Sequence, residues 1–472
     1  RLEEWIFSLM DGETYNMNGS LFNTARKKNI ALFAIKCLYE LQDSDTMKSI
    51  CSKFLAVGNG ELRLEKLYIT PVDSAALFEF LGNSNNIKRL RFHRCVIQGN
   101  YSYSKMEKSL LSNPTNSVAF LKFVKNFTIT QGAQYLSEAL KSKNCKLTSL
   151  DLSCNEITDQ GVEYLSGALQ SENCKLTSFN IRNNRKAHQS VKYVSKALKS
   201  ENCKLTSLNL CNNGITDQGA EYLTGALKSE NCKLTSLNLF YNEITDQGVE
   251  CLSEALKSEN CKLTSLNMRY NKILDQGAKY LSKALKSENC ALTSLNLCGN
   301  VITDQGVESL SGALKSENCK LNSLDLHVNK KTQQSVEYRS EALNRGNCEL
   351  TSLNLCYNER IYEGIEYLSD ALKSENCKLT SLCLHAYEIT YQGVEYLSDA
   401  LKSENCKLTS LCFHAYGITD QGVEYLSEAL KSENCKLTSL SLYTNKISDQ
   451  SAEHLSGTLK SKNCRLILVT SG

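Results

Sequence analysis

Cys145-Lys146-Leu147-Thr148-Ser149-Leu150-Asp151-Leu152-Ser153-Cys154-Asn155-Glu156-Ile157-Thr158-Asp159-Gln160-Gly161-Val162 opens the unit on which the fold of the whole chain turns. Leu150 and Leu152 alternate with polar Ser149, Asp151 and Ser153, the period of a short strand with one buried face. Thr158-Asp159 is a helix start. Val162, Leu165, Ala168 and Leu169 follow at helical spacing and define one inward stripe. Asn173, just before the next cysteine, suits a helix exit. The unit reads as strand, loop, helix and return.

The unit recurs. Twelve cysteines, from Cys145 and Cys174 through to Cys435 and Cys464, fall in one unbroken register of 29 residues. A fixed period of this size marks a stack of structural repeats, each burying its apolar face against its neighbours. Strand pairs run from Leu62/Leu64, Leu90/Phe92 and Leu121/Phe123 to Leu440/Leu442, which gives fourteen repeats. Leu466-Ile467-Leu468 reads as a truncated fifteenth strand with no helix after it. The first three units are less regular, as an end cap is expected to be. An asparagine recurs at Asn126, Asn155, Asn184, Asn213, Asn242, Asn271, Asn300, Asn329, Asn358 and Asn445. A buried carboxamide there is expected to bond the loop N–H and C=O groups as the chain leaves each strand. Tyr387 and Tyr416 interrupt that ladder, so looser loops are expected at both.

From about residue 61 to the end, the pattern LxxLxLxxN resembles the leucine-rich repeat, and the unit length and full helix resemble its ribonuclease-inhibitor-like subclass. The resemblance implies an α/β solenoid: a right-handed horseshoe with a parallel sheet on the concave side and helices on the convex side. Residues 1–60 are different. Asn29 to Leu41 reads as a largely buried helix and Asp43 to Phe54 as another. The run Cys37-Leu38-Tyr39-Glu40-Leu41-Gln42-Asp43 resembles the helical segment that joins the NACHT ATPase module to the repeats in NOD-like receptors. Val72-Asp73-Ser74-Ala75-Ala76-Leu77-Phe78-Glu79-Phe80-Leu81 resembles that family's first repeat. The expected domains are a helical segment at 1–60, irregular repeats at 61–144, eleven regular repeats at 145–463 and a terminal strand at 464–472. The resemblance further implies an upstream ATPase module in the same chain. No G-x-x-x-x-G-K-[ST] loop occurs here, so no nucleotide or other cofactor is expected in this segment.

Bulk composition excludes more than it identifies. In 472 residues, 54 basic side chains nearly balance 51 acidic ones, for a net charge of +3. No global field favours nucleic acid or an anionic membrane, and no apolar run is long enough to span a bilayer. Twenty-two cysteines in a chain with a long periodic core are expected to be reduced and structural, which points to the cytoplasm. Of the glycosylation sequons at Asn18, Asn100 and Asn126, the last lies in the buried asparagine slot and leaves no room for a glycan.

The chain supplies its own alignment. The Ser149 position is serine in all eleven regular units, whereas the slot of Ser153 and the one after it diverge. By alternation from Leu152 the Ser153 slot points out of the sheet face, with the next slot on the adjoining loop. A conserved core beneath one diverging open face, rich in Arg and aromatics, suggests recognition of a protein or microbial ligand. The candidate contact residues are Arg182, Phe240, Tyr241, Arg269, Tyr270, His327, Tyr357, His385, His414 and Tyr443. Cys211, Cys298 and Cys356 are expected on the same open face, and so to be the reactive thiols. Cys383, His385, Cys412 and His414 lie on neighbouring strands in a pattern that zinc would accept, but recent duplication of one unit explains the pairing and no metal is expected. Two basic loops, Arg185-Lys186 and Lys330-Lys331, read as solvated. No Ser/His/Asp or paired-carboxylate constellation stands out in the variable slots, so an enzyme is the reading least favoured. The resemblance favours a ligand-sensing, autoinhibitory repeat region of a cytosolic innate-immune receptor. The alternative is a standalone binder or scaffold resembling ribonuclease inhibitor, against which the +3 charge argues.

Overall fold

A computed structural model describes residues 35–37, 39–40, 60–84, 86–126, 129–184, 189–329, 334–355, 364–384, 391–413, 418–442, 448–461, 464–466 and 468–470. The chain divides into two compact units, Arg1–Ile215 with Gly225–Asn238, and Thr216–Thr224 with Leu239–Gly472. Candidate residues Tyr357, His385, His414 and Tyr443 lie outside the described residues, as do Cys356, both basic loops and the Tyr387 and Tyr416 positions.

In the first unit seven main strands are described, beginning at Glu61, Arg89, Phe120, Ser149, Ser178, Ser207 and Ser236. Each pairs in parallel with the next, as in Leu62 with Leu90 and Leu150 with Phe179. In the second unit eight are described, beginning at Ser265, Ser294, Ser323, Ser352, Ser381, Ser410, Ser439 and Leu468. Their register is equally regular: Leu266 pairs with Leu295, Leu295 with Leu324 and Leu440 with Val469. Every regular strand starts at the invariant serine and spans three or four residues. Parallel neighbours need a crossover, and a helix supplies it in each repeat. Each unit is therefore an α/β leucine-rich-repeat solenoid. The chain end departs from expectation by two residues, since the final strand is Leu468–Thr470 rather than Leu466–Leu468. The register set by Ser439 places Val469 in the leucine slot, and this outweighs the local apolar run.

The helices obey the spacing read from the sequence. Asp159–Leu169 is capped by Thr158, whose hydroxyl accepts from the Gly161 N–H. Val162, Leu165, Ala168 and Leu169 are all at most 2% exposed. Asn173 does not end this helix, which stops at Leu169. The equivalent asparagines instead reach across to the preceding repeat, as Asn202 Nδ2 donates to the Gln170 carbonyl at 3.2 Å and Asn289 Nδ2 to that of Lys257 at 3.1 Å. These satisfy helix-end carbonyls that have no partner within their own helix.

Two polar ladders tie the repeats together. In the asparagine ladder, Asn300 Oδ1 accepts from the N–H groups of Asn271 (3.2 Å) and Ile273 (3.1 Å), and its Nδ2 donates to the carbonyls of Met268 (3.0 Å) and Leu297 (2.9 Å). The described members from Asn126 to Asn300 are at most 7% exposed, and Asn126 is fully buried as its slot requires. The second ladder was not foreseen. Asp275 Oδ1 accepts from the N–H groups of Thr303 (2.7 Å) and Gly306 (3.1 Å), and Oδ2 from the Thr303 hydroxyl (2.6 Å). Asp217, Asp246 and Asp420 likewise serve the helix start of the next repeat. Asp275 also fixes the glycine, because a Cβ at Gly306 would sit 2.6 Å from Asp275 Oδ1.

The cysteine register is packing. From Cys145 to Cys435 its members are buried and unpaired by disulfides, and Cys464 is half-buried. Burial pushes up the thiols of Cys145, Cys174, Cys203, Cys290, Cys319, Cys377 and Cys435, and those of Cys348 and Cys406 to about 11.

Candidate functional site

The variable slots fall where each chain leaves its strand. In six described units, an Asn or Asp side chain two residues before the Ser153-type position accepts from the backbone N–H of that position. Asn180 does so for Arg182, Asn267 for Arg269, Asn296 for Cys298, each at 3.0 Å, and Asp325 for His327 at 3.2 Å. The following residue is forced into the left-handed region, with φ of 56° at Tyr241, 51° at Tyr270 and 53° at Val328. In the first unit the slot holds Lys125 and Cys154 as well as Asn183 and Asn212, of which the asparagines are the type that tolerates such angles, whereas bulky and β-branched residues do not.

In the second unit the structure brings four candidates together. The rings of Phe240, Tyr241 and Tyr270 lie 5.8 to 6.3 Å apart at tilted or edge-on angles. The Arg269 guanidinium sits 4.9 Å from the Tyr270 ring centre and 5.6 Å from that of Phe240. Tyr241 is 53% exposed and Tyr270 36%. Aromatic pairs contribute about 0.5–1.5 kcal/mol each and cation–π contacts about 0.5–1 kcal/mol when exposed, so the cluster holds its own shape. Burial works against the Arg269 charge, yet Tyr270, Cys298 and Asp325 outweigh it and hold its pKa above the usual value. In the first unit Arg182 is exposed and stands beside Cys211.

Cys211 and Cys298 are not open thiols. They are 1% and 0% exposed respectively. Alternation sets the direction of a side chain, but strands about 4.8 Å apart let longer neighbours roof a short one. Burial raises the Cys211 thiol to about 11 against the opposing pull of Arg182. Cys383 and Cys412 are register partners on adjacent strands, both half-buried. The Cys412 thiol is pushed up first by its hydrogen bond with Cys383 and then by burial.

One constellation escaped the sequence reading. Cys298 Sγ lies 2.9 Å from His327 Nε2, and His327 Nδ1 lies 2.5 Å from Asp325 Oδ1. Asn296 Nδ2 donates to the other Asp325 oxygen at 3.2 Å. Its signal was available: Cys298 and His327 occupy one slot in consecutive units, and Asp325 stands two residues before the histidine on the same strand exit.

Among the described residues no helix is long and apolar enough to cross a membrane. A search of curated proteins finds no match. Among solved structures, an internalin from Listeria monocytogenes strain 4b F2365 is 16% identical over 93% of each chain, with a TM-score of 0.41. Rad7 in its yeast complex with Elc1 is the subject of another similar structure, 17% identical over 85% of this chain and 89% of that one, with a TM-score of 0.49. The family profile "Leucine Rich repeat" matches residues 143–166, 201–223, 230–253, 259–282 and 288–311. These matches fall on the strand-loop-helix units described above, and the chain carries leucine-rich repeats.

Proposed function

We propose that the strand-exit row is a protein-recognition face, and that the repeats form the ligand-sensing, autoinhibitory region of a cytosolic receptor resembling the NOD-like receptors. Solenoid repeats offer extended binding surfaces. The observation that carries recognition is the placing of two tyrosines, Tyr241 and Tyr270, in the left-handed slot beside Arg269 and Phe240. Strain of that kind persists where the exposed side chain has a use. Tyrosine and arginine are the side chains that dominate binding hot spots. The receptor reading rests on the resemblance of residues 37–43 and 72–81 and makes the preceding ATPase module the intramolecular partner.

The recognition test is site-specific photo-crosslinking from position 241 in cells. The same partner is expected with the wild-type chain and with the helix-face control Tyr164→Ala. It is expected to be lost with Phe240→Ala/Arg269→Ala/Tyr270→Ala. Equal capture by the triple variant refutes the face. For the receptor reading, the sequence preceding Arg1 is expected to encode a phosphate-binding loop, and deletion of the repeats from that full chain should raise basal signalling. Unchanged signalling refutes autoinhibition.

A further inference from the structure

We propose that Cys298, His327 and Asp325 form a binding site for one divalent transition-metal ion of the zinc class, joining two consecutive repeats. One ligand atom from each residue lies within 4.8 Å of the other two. Ligands of a tetrahedral zinc sit at about 2.0–2.3 Å from the ion, and so roughly 3.3–3.8 Å from one another. Cys298 Sγ faces Nε2 of the ring at 2.9 Å and Asp325 Oδ1 faces Nδ1 at 2.5 Å, so a single ion takes one ring nitrogen: the pair that meets there opens by less than about an ångström, and the third ligand atom, within 4.8 Å, turns in by about an ångström. No large movement of the chain is required.

The donor set is one that zinc takes: a soft thiolate, an imidazole and a carboxylate. The site is also built. Backbone bonds fix the strand exits, with Tyr270 N–H donating to the Cys298 carbonyl at 2.7 Å and Gly299 N–H to that of His327 at 3.0 Å. Asn296 steadies the carboxylate. The thiol is fully buried, the imidazole 13% exposed and the carboxylate 21%. A thiolate and a carboxylate held so close repel each other in low dielectric, and a divalent ion neutralises both. Arg269, whose charge acts on both Cys298 and Asp325, carries one charge and is turned to the Tyr270 ring. Three protein ligands leave a fourth position for water. Copying supplies the cysteine, which recurs at Cys211 and Cys356 in the same slot, but not the Asp325–His327 pair, since Asn267 and Asn354 hold the aspartate slot in the repeats on either side of the site.

The full chain, stripped with chelator and dialysed against zinc, is expected to retain one ion that Cys298→Ser, His327→Gln and Asp325→Asn each release. Loss of a direct ligand should weaken binding at least about 100-fold, more than loss of an outer hydrogen bond does. Cys211→Ser and the double variant Cys383→Ser/Cys412→Ser should keep the ion. Retention by Cys298→Ser, or release by the Cys383/Cys412 pair, overturns the assignment. X-ray absorption of the zinc-loaded wild type reads the ligands directly, independently of how any variant folds. One sulfur at about 2.3 Å with nitrogen and oxygen at about 2.0 Å is expected. An all-sulfur shell, or no retained zinc, refutes the site.

Discussion

Arg339→Leu should stabilise the protein. Arg339 occupies the slot that is Leu310 in the preceding helix and Leu368 in the following one, and it is 1% exposed. Its Nε donates to the Ser335 carbonyl at 2.9 Å and one terminal nitrogen to the Ser335 hydroxyl at 3.0 Å. The other terminal nitrogen, Nη1, is buried with no hydrogen-bond partner. Burial lowers the guanidinium from 12.5 to about 10, with Asp304 and Asp325 opposing the fall. At about 1.4 kcal/mol per tenfold change, that is roughly 3 kcal/mol against the charged form. Replacing a buried charge by a packed apolar residue stabilises by about 1–4 kcal/mol in other proteins. A gain of about 2–4 kcal/mol is therefore expected. The sign with pH follows from the depressed folded pKa. The penalty is fully present below about 10 and is relieved as pH rises from there towards 12.5, so the gap between variant and wild type should narrow over that window. Repeat stacks open locally, so the assay is hydrogen exchange of the Gln334–Leu343 helix at pH 7. Slower exchange in the variant is expected. Unchanged or faster exchange would refute the view that this guanidinium is an uncompensated buried charge.

Three further outcomes are expected. Asn300→Ala removes five hydrogen bonds to backbone groups along the asparagine ladder and should destabilise by at least about 3 kcal/mol, read as faster exchange around residues 268–300. Val328→Gly relieves a β-branched residue held at a φ of 53° and should stabilise by about 1 kcal/mol in the same assay. Native-state alkylation at pH 8 should modify half-buried Cys154 well before Cys348 and Cys406, whose buried thiols are pushed to about 11; equal rates would show that the register cysteines are accessible.

The parts of the fold that were legible are those in which one residue decides locally. Ser149 and its copies start the strands, Thr158 caps its helix, and the Leu-x-Leu and Val162 stripes are buried as their periods require. The illegible parts depend on a partner a whole unit away. The aspartate beside each capping threonine looks like the second half of a local helix start, yet Asp275 serves Thr303 and Gly306, 28 and 31 residues on. Asn173 looked like a helix stop for the same reason, until its equivalents proved to bridge to the preceding repeat. The burial of Cys298 could not follow from alternation alone, because His327 rather than its own strand covers it. Arg339 was not singled out in the sequence, although an arginine stands there in the slot that is Leu310 and Leu368 in the flanking units.

The left-handed slot links the two halves of the problem. Backbone geometry at the strand exit repeats in every described regular unit up to Val328, set by the Asn or Asp two residues earlier and by the asparagine ladder behind it. Such a position selects for Gly or Asn if stability alone matters. Asn183, Asn212 and Gly299 satisfy that preference; Cys154, Tyr241, Tyr270 and Val328 do not. Drift under a stability constraint should remove large side chains from this slot first. Two adjacent tyrosines there, stacked against an arginine and a phenylalanine, are what a selected contact surface produces. Tyr241→Asn and Tyr270→Asn separate the two accounts. Each should raise stability by about 1 kcal/mol while weakening partner capture from position 240, and a variant that gains stability without losing capture would return this slot to drift.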